Sequence, residues 1–221
     1  MKTRHLLSLF LCLAFTVSGQ ELYVNIGDNI SNYTYENSIG EQSMNSISGK
    51  GSSYGLGVTF PIIKPDSTFT YGVGVAFNEF NAQAIELNAS ATEYFYSELM
   101  TSYLGLHQEL NYHFHSPFKN FVLRLNASVN LNTLISGREI RNLKGVQPQF
   151  LLNDNLAENP LYAGIFIEPG VGAGFQYSLD HNICFSLDYT YSRNYKLKTI
   201  EEKFTFKNHR LRVQIKFPLH K

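Results

Sequence analysis

The chain has 221 residues, no formal net charge and only 16% charged residues, against roughly 25% in an average globular protein. A neutral balance offers no basic surface for nucleic acid, so no nucleic-acid partner is expected. The 14 tyrosines and 17 phenylalanines point instead to lipid-facing bands and interfacial girdles.

Lys2, Arg4 and His5 precede an apolar run over residues 6–17, followed by Ser18, Gly19 and Gln20, the layout of a cleavable signal peptide with its cut after Gly19. This divides the chain into a signal peptide, residues 1–19, and one exported domain, residues 20–221. The apolar run is too short for a spanning helix, and no later segment approaches the roughly 20 apolar residues such a helix needs. Insertion into a membrane must then be by strands. Of the two cysteines only Cys184 survives the cut, which excludes an intramolecular disulfide.

Leu22, Val24 and Ile26 alternate with Tyr23, Asn25 and Gly27 in a first strand, and the Asn-, Ser- and Gly-rich residues 28–53 read as a long loop. Tyr54, Leu56, Val58 and Phe60 form a second strand; Pro65, Asp66 and Ser67 make the next turn short. A third strand runs from Phe69 through Phe77, with a loop at about 79–92. The fourth, from Tyr94 to Phe114, is apolar on one face except at Gln108. The fifth, residues 121–135, holds a period of two over a length that suits a tilted bilayer crossing. A third loop is expected at about 136–160. A sixth strand reaches Leu179, with Pro169 predicting a bulge or local gap. Two more strands, around Phe185 and Leu211, flank a modest loop at about 196–202.

The count is about eight, with connections alternately long and short. That order fits an all-β, antiparallel, up-and-down transmembrane β-barrel with both ends in the periplasm. With the signal peptide and the final strand carrying Leu211, Val213, Ile215 and Phe217, the chain resembles the small outer-membrane barrels of the OmpA and OmpX type, especially porin-family barrels of Bacteroidota. The resemblance implies a Gram-negative outer-membrane location, with outer-membrane lipid, lipopolysaccharide and, during biogenesis, the assembly machinery as partners. An extracellular or secretion partner is a further expectation. Family members usually end on an aromatic residue; here Pro218, Leu219, His220 and Lys221 follow Phe217.

Energetics assign the faces. A cation facing lipid near the midplane costs roughly 2 to 4 kcal/mol, so Arg124, Arg210 and Arg212 should point inward, and the same phase places Glu109, Glu168 and Asp188 beside them. An eight-stranded barrel is just wide enough to be filled by side chains. The expected result is an interior polar network that plugs the lumen. The sharper alternative is a narrow solute path, kept open by inward glycines such as Gly55, Gly57, Gly72, Gly74, Gly170, Gly172 and Gly174, which either leave a void or make room for arginines.

His107, His113 and His115 lack a third ligand at close spacing, and His107, Ser128 and Asp188 all point into the lumen, so no metal, cofactor or catalytic site is expected. In the third loop Arg138, Arg141 and Lys144 are candidate contacts to lipopolysaccharide phosphates or a partner. The leading expectation is thus a barrel with a structural, surface-interaction or narrow-pore role. The alternatives are an accessory barrel for outer-membrane assembly or secretion, and a soluble lipocalin-like lipid-binding barrel, which requires the reverse phase of greasy interior and polar exterior.

Overall fold

The computed structural model describes residues 20–36, 39–40, 46–62, 68–87, 94–115, 120–144, 149–156, 158–159, 162–179, 183–197 and 203–219. The proposed signal peptide and the turn residues Pro65, Asp66 and Ser67 lie outside them. Among the described residues all regular structure is strand: β1 (Glu21–Glu36), β2 (Ser46–Pro61), β3 (Phe69–Leu87), β4 (Tyr94–His115), β5 (Phe121–Lys144), β6 (Gln149–Asn155), β7 (Ile165–Leu179), β8 (Ile183–Lys196) and β9 (Lys203–Pro218).

Every pairing is antiparallel, and β4 with β5 and β1 with β9 close the sheet into an eight-stranded barrel. The ninth strand, β6, is no stave of the barrel; it folds back on the outer part of β5, between Arg138 and Leu143. The register fixes the tilt. From Glu21 it passes through Thr59, Gly72, Glu109, Ser128, Gly170, Ser192 and Asn208 and returns to β1 at Ser31, ten residues further on. A stagger of this kind goes with strongly tilted strands and a bore that side chains fill.

The end of the barrel that holds Gln20 and Leu219, joined by a backbone bond of 2.8 Å, is called the near end below. On β5 Leu123, Leu125, Val129 and Leu131 are exposed while Arg124, Asn126, Ser128, Asn130 and Asn132 are buried, and the other strands repeat this phase. The wall is therefore apolar outside and polar inside. Aromatic pairs ring the near end, among them Phe60 with Tyr71, Phe69 with Tyr112 and Phe121 with Phe175. Gln108, the polar residue on the outer face of β4, accepts a hydrogen bond of 2.6 Å from the Tyr71 hydroxyl, so its carbonyl is not left bare toward an apolar surrounding.

The three predicted loops are corrected. β1 runs on to Glu36 and β2 begins at Ser46; β3 continues to Leu87, and β5 to Lys144 with β6 beside it. Turn-forming composition misled here because backbone pairing outweighs residue propensity when the inward positions have polar company. Asn29 and Ser31, for instance, are fully buried in the lumen. Pro169 does interrupt a ladder. β7 and β8 pair at Ile167 with Tyr195 and resume at Gly170 with Ser192 in unchanged register, so the fault is a gap without a bulge.

Candidate functional site

The inward phase brings Glu109 (β4), Arg124 (β5), Glu168 (β7), Asp188 (β8) and Arg210 and Arg212 (β9) into the lumen, all buried. They form two layers. In the near layer Arg124 grips Asp188 with two nitrogens, Nε donating to Oδ1 over 3.0 Å and Nη2 to Oδ2. Its Nη1 donates to Gln214 Oε1 over 3.0 Å and lies 4.0 Å from Glu109. Arg212 donates to the other Glu109 oxygen. The Arg124 fork thus holds one carboxylate through two nitrogens and Arg212 reaches the other through Nη2 alone, charge-assisted bonds that offset part of the cost of desolvating buried charges.

The second layer centres on Glu168. One of its oxygens accepts from Asn130 (3.0 Å) and Asn132 (2.8 Å); the other accepts from Ser192 (2.6 Å), Asn208 (3.0 Å) and Arg210 (3.1 Å). That saturates a carboxylate, which offers about four acceptor sites. Arg210 in turn donates through Nε to Asn29 Oδ1 over 2.7 Å, and the Asn29 amide reaches the backbone oxygens of Ser52 and Glu79. His107 ties the layers together, with Nδ1 2.6 Å from Asn130 Oδ1 and Nε2 3.3 Å from Arg212 Nη1.

Beyond these charges the lumen changes character. Phe80, Tyr103, Phe166 and Phe206, each fully buried, form a layer with ring centres 5.4 to 5.6 Å apart. Leu156 and Tyr162, from the segment between β6 and β7, join the same apolar cluster together with Ala82 and Leu99. Burial, helped by nearby Glu139, pushes the Tyr162 hydroxyl well above the usual tyrosine range. This plug was not foreseen from the sequence. Its signal was parity: Phe80 shares a face with Gly72 and Gly74, Phe166 with Glu168, and Phe206 with Arg210 and Arg212.

Inward glycines make room, but chiefly for other residues than the arginines. A Cβ on Gly57 would stand 2.6 Å from the Tyr23 hydroxyl, and one on Gly55 2.7 Å from the Asn25 amide. Asp188 is engaged by Arg124 and Ser186, and His107 by Asn130, Arg212 and Glu109, so the histidine, Ser128 and the acid do not form a relay. His113 shares a 3.0 Å bond with Thr70. Arg138, Arg141 and Lys144 lie on the β5 extension and not on a loop. Arg138 is exposed, Arg141 donates to Ser97 over 3.2 Å, and the Lys144 side chain lies outside the described ones.

No family model and no curated protein sequence matches the chain. Among solved structures, Neisserial surface protein A is 17% identical with a TM-score of 0.42 over 90% of this chain and 97% of that one. OprG from Pseudomonas aeruginosa is 14% identical with a TM-score of 0.46 over 93% and 98%. Ail, the attachment invasion locus protein of Yersinia pestis, is 12% identical with a TM-score of 0.31 over 90% and 99%. The fold rests on the strand pairing above, and no function is drawn from these neighbours.

Proposed function

We propose that the chain is an outer-membrane β-barrel with a sealed lumen, whose role is structural or in surface interaction and involves no catalysis. The observation that carries the reading is the sequence of layers along the bore. Paired charges fill it, and four fully buried aromatic rings cover them. Ions crossing would have to break buried pairs and then pass a dry constriction. The membrane part of the reading is supported by the outer wall, where Val171, Ile26 and Ile165 are 62%, 55% and 55% exposed while Arg124 and Glu168 are at 1% and 0%. A lipocalin-like barrel would need the opposite arrangement along this stretch.

In this reading the surroundings are outer-membrane lipid and lipopolysaccharide, residues 1–19 direct export, and the assembly machinery handles the chain during biogenesis. An extracellular or secretion partner would meet the strand extensions, and co-purification with secretion components would favour that accessory role.

A narrow-pore reading has one observation in its favour. Near the near end Asn111 and Asn126, cross-strand neighbours, keep both amide atoms without partners among the described residues, which marks a place for water. Planar-bilayer recording of the refolded chain separates the two. A sealed lumen gives no discrete openings for the native chain or for Arg124→Ala. Stable openings altered by Arg124→Ala would establish the pore and overturn the plug.

A further inference from the structure

The outer face of β8 and β9 carries a feature that the lumen does not explain. Arg193 and Lys207 are direct cross-strand neighbours there, on the outward phase between buried Ser192 and Asn194 and between buried Phe206 and Asn208. Two cations opposite each other on one sheet face repel. Neither has a carboxylate partner among the described residues. On the same phase of β1 the acids Asp28 and Glu36 lie opposite Leu211 and Lys203, and Lys207 faces Asn32.

Arg193 is held in place by tyrosine. Its Nε donates to the Tyr191 hydroxyl over 2.8 Å, and its guanidinium carbon stands 5.9 Å from that ring. Tyr191 packs on His209 at 5.2 Å, and His209 Nδ1 is 2.6 Å from the Tyr189 hydroxyl. The Arg193 side chain also hydrogen-bonds Tyr195, which leaves its remaining N–H groups and the Lys207 ammonium to take a ligand. The site also sits at a defined height. On β9 the outward residues pass from Phe217, Ile215, Val213 and Leu211 to His209 and Lys207, just where the inward face passes from Asn208 to Phe206 of the aromatic layer. The apolar outer belt therefore stops at this level on β9 and is interrupted at Arg193 on β8, where it resumes at Tyr195 and Leu197, while on β7 it runs on to Ile165.

We infer that Arg193 and Lys207, framed by Tyr191 and Tyr195, bind a phosphate of a phosphorylated glycolipid in the outer leaflet. An Arg fork beside a Lys point charge suits a phosphate, tyrosines favour the headgroup level, and an anion between the two cations removes their repulsion. The inference rests on the membrane reading above, and it places the lipid contact on the barrel wall instead of at Arg138 and Arg141.

The test uses the refolded chain in phosphatidylcholine nanodiscs doped with bis-phosphorylated lipid A, with native mass spectrometry counting retained lipid. Flotation and heat-modifiable migration confirm insertion of each variant. Retention should fall by about tenfold or more in Arg193→Gln/Lys207→Gln, the loss expected from two cations near an anionic surface. It should persist in Arg193→Lys/Lys207→Arg and in Arg138→Gln/Arg141→Gln, and vanish when the lipid's phosphates are removed. Equal retention by the neutralised variant, retention without phosphates, or loss confined to the Arg138/Arg141 variant would overturn the site while leaving the barrel in its membrane. Failure of the native chain to enter any bilayer would overturn the membrane reading itself, and the site with it.

Discussion

The Nδ1 atom of His107 lies 2.6 Å from the side-chain oxygen of Asn130. Asn130 has no choice of orientation, because its amide nitrogen donates to Glu168 over 3.0 Å. An amide oxygen only accepts, so the imidazole proton resides on Nδ1. Its Nε2 lies 3.3 Å from Arg212 Nη1 and 3.5 Å from Glu109 Oε2. The histidine thus links the charged pairs of the near layer to the layer of Glu168.

Side-chain nitrogen NMR of the refolded chain should accordingly show a proton on Nδ1 of His107. Asn130→Ala removes that constraint and one donor to Glu168, and should lower unfolding stability by about 1 to 3 kcal/mol. An unprotonated Nδ1 in the native chain would contradict the assignment.

Glu168→Gln should be among the most damaging single changes in the lumen. It leaves the Arg210 guanidinium, buried and 3.1 Å away, without its counter-charge, at a cost of roughly 3 to 5 kcal/mol. Glu168→Gln combined with Arg210→Met should recover much of the loss, read as the denaturant midpoint in detergent micelles.

The small inward residues should show non-additivity. A Cβ on Gly105 would collide with the Asn132 side-chain oxygen, whose amide nitrogen serves Glu168. Gly105→Ala is expected to cost about 1 to 3 kcal/mol through crowding, and much less in an Asn132→Ala background. Equal costs in the two backgrounds would show that the backbone, and not Asn132, sets the limit.

On the outer wall the pair of Tyr71 and Gln108 gives an asymmetric result. Tyr71→Phe alone strands the Gln108 carboxamide on the apolar outer face and should destabilise by roughly 1 to 3 kcal/mol. Tyr71→Phe with Gln108→Leu replaces both partners by apolar groups and should be neutral or stabilising. The same denaturant midpoints decide it.

What the sequence revealed and what it hid follow from one physical change along each strand. Between the near end and the aromatic layer the outer face is greasy and the inner face polar, so Leu123 against Arg124, or Leu211 against Arg212, announces a barrel strand with its polar face inward. Past that layer the roles reverse. On β3 Phe80 and Ala82 turn inward while Glu79, Asn81 and Gln83 turn outward, and on β4 Leu99 and Tyr103 are inward while Glu98 and Ser102 are outward. β3 and β4 keep their parity, while β5 shifts register past Leu134, and the chemistry of β3 and β4 inverts as they leave the belt and become an ordinary sheet with an apolar core. A reading that looks for greasy outward residues ends the strand there and sees a loop. The inward arginines and acids were legible because they fall on the face opposite a continuous apolar one. Their pairing partners were not, since it is the stagger of ten residues that decides which of them share a level.

The ladder between β1 and β9 holds 16 consecutive pairs, from Glu21 with Pro218 to Glu36 with Lys203. It joins the first described strand to the last, the largest sequence separation of any ladder in the sheet, and contacts of such separation are slow to establish. Arg210 meets Asn29 across 181 residues and Arg212 meets Glu109 across 103. While the sheet is still an open ribbon, these charges face water and incur no penalty. The order of events is then set by topology: hydrated charges on an unclosed sheet, then a single late zipping step that dries and pairs them together. A variant that weakens the lumen should therefore speed reopening of the ring far more than it slows the first association of the strands.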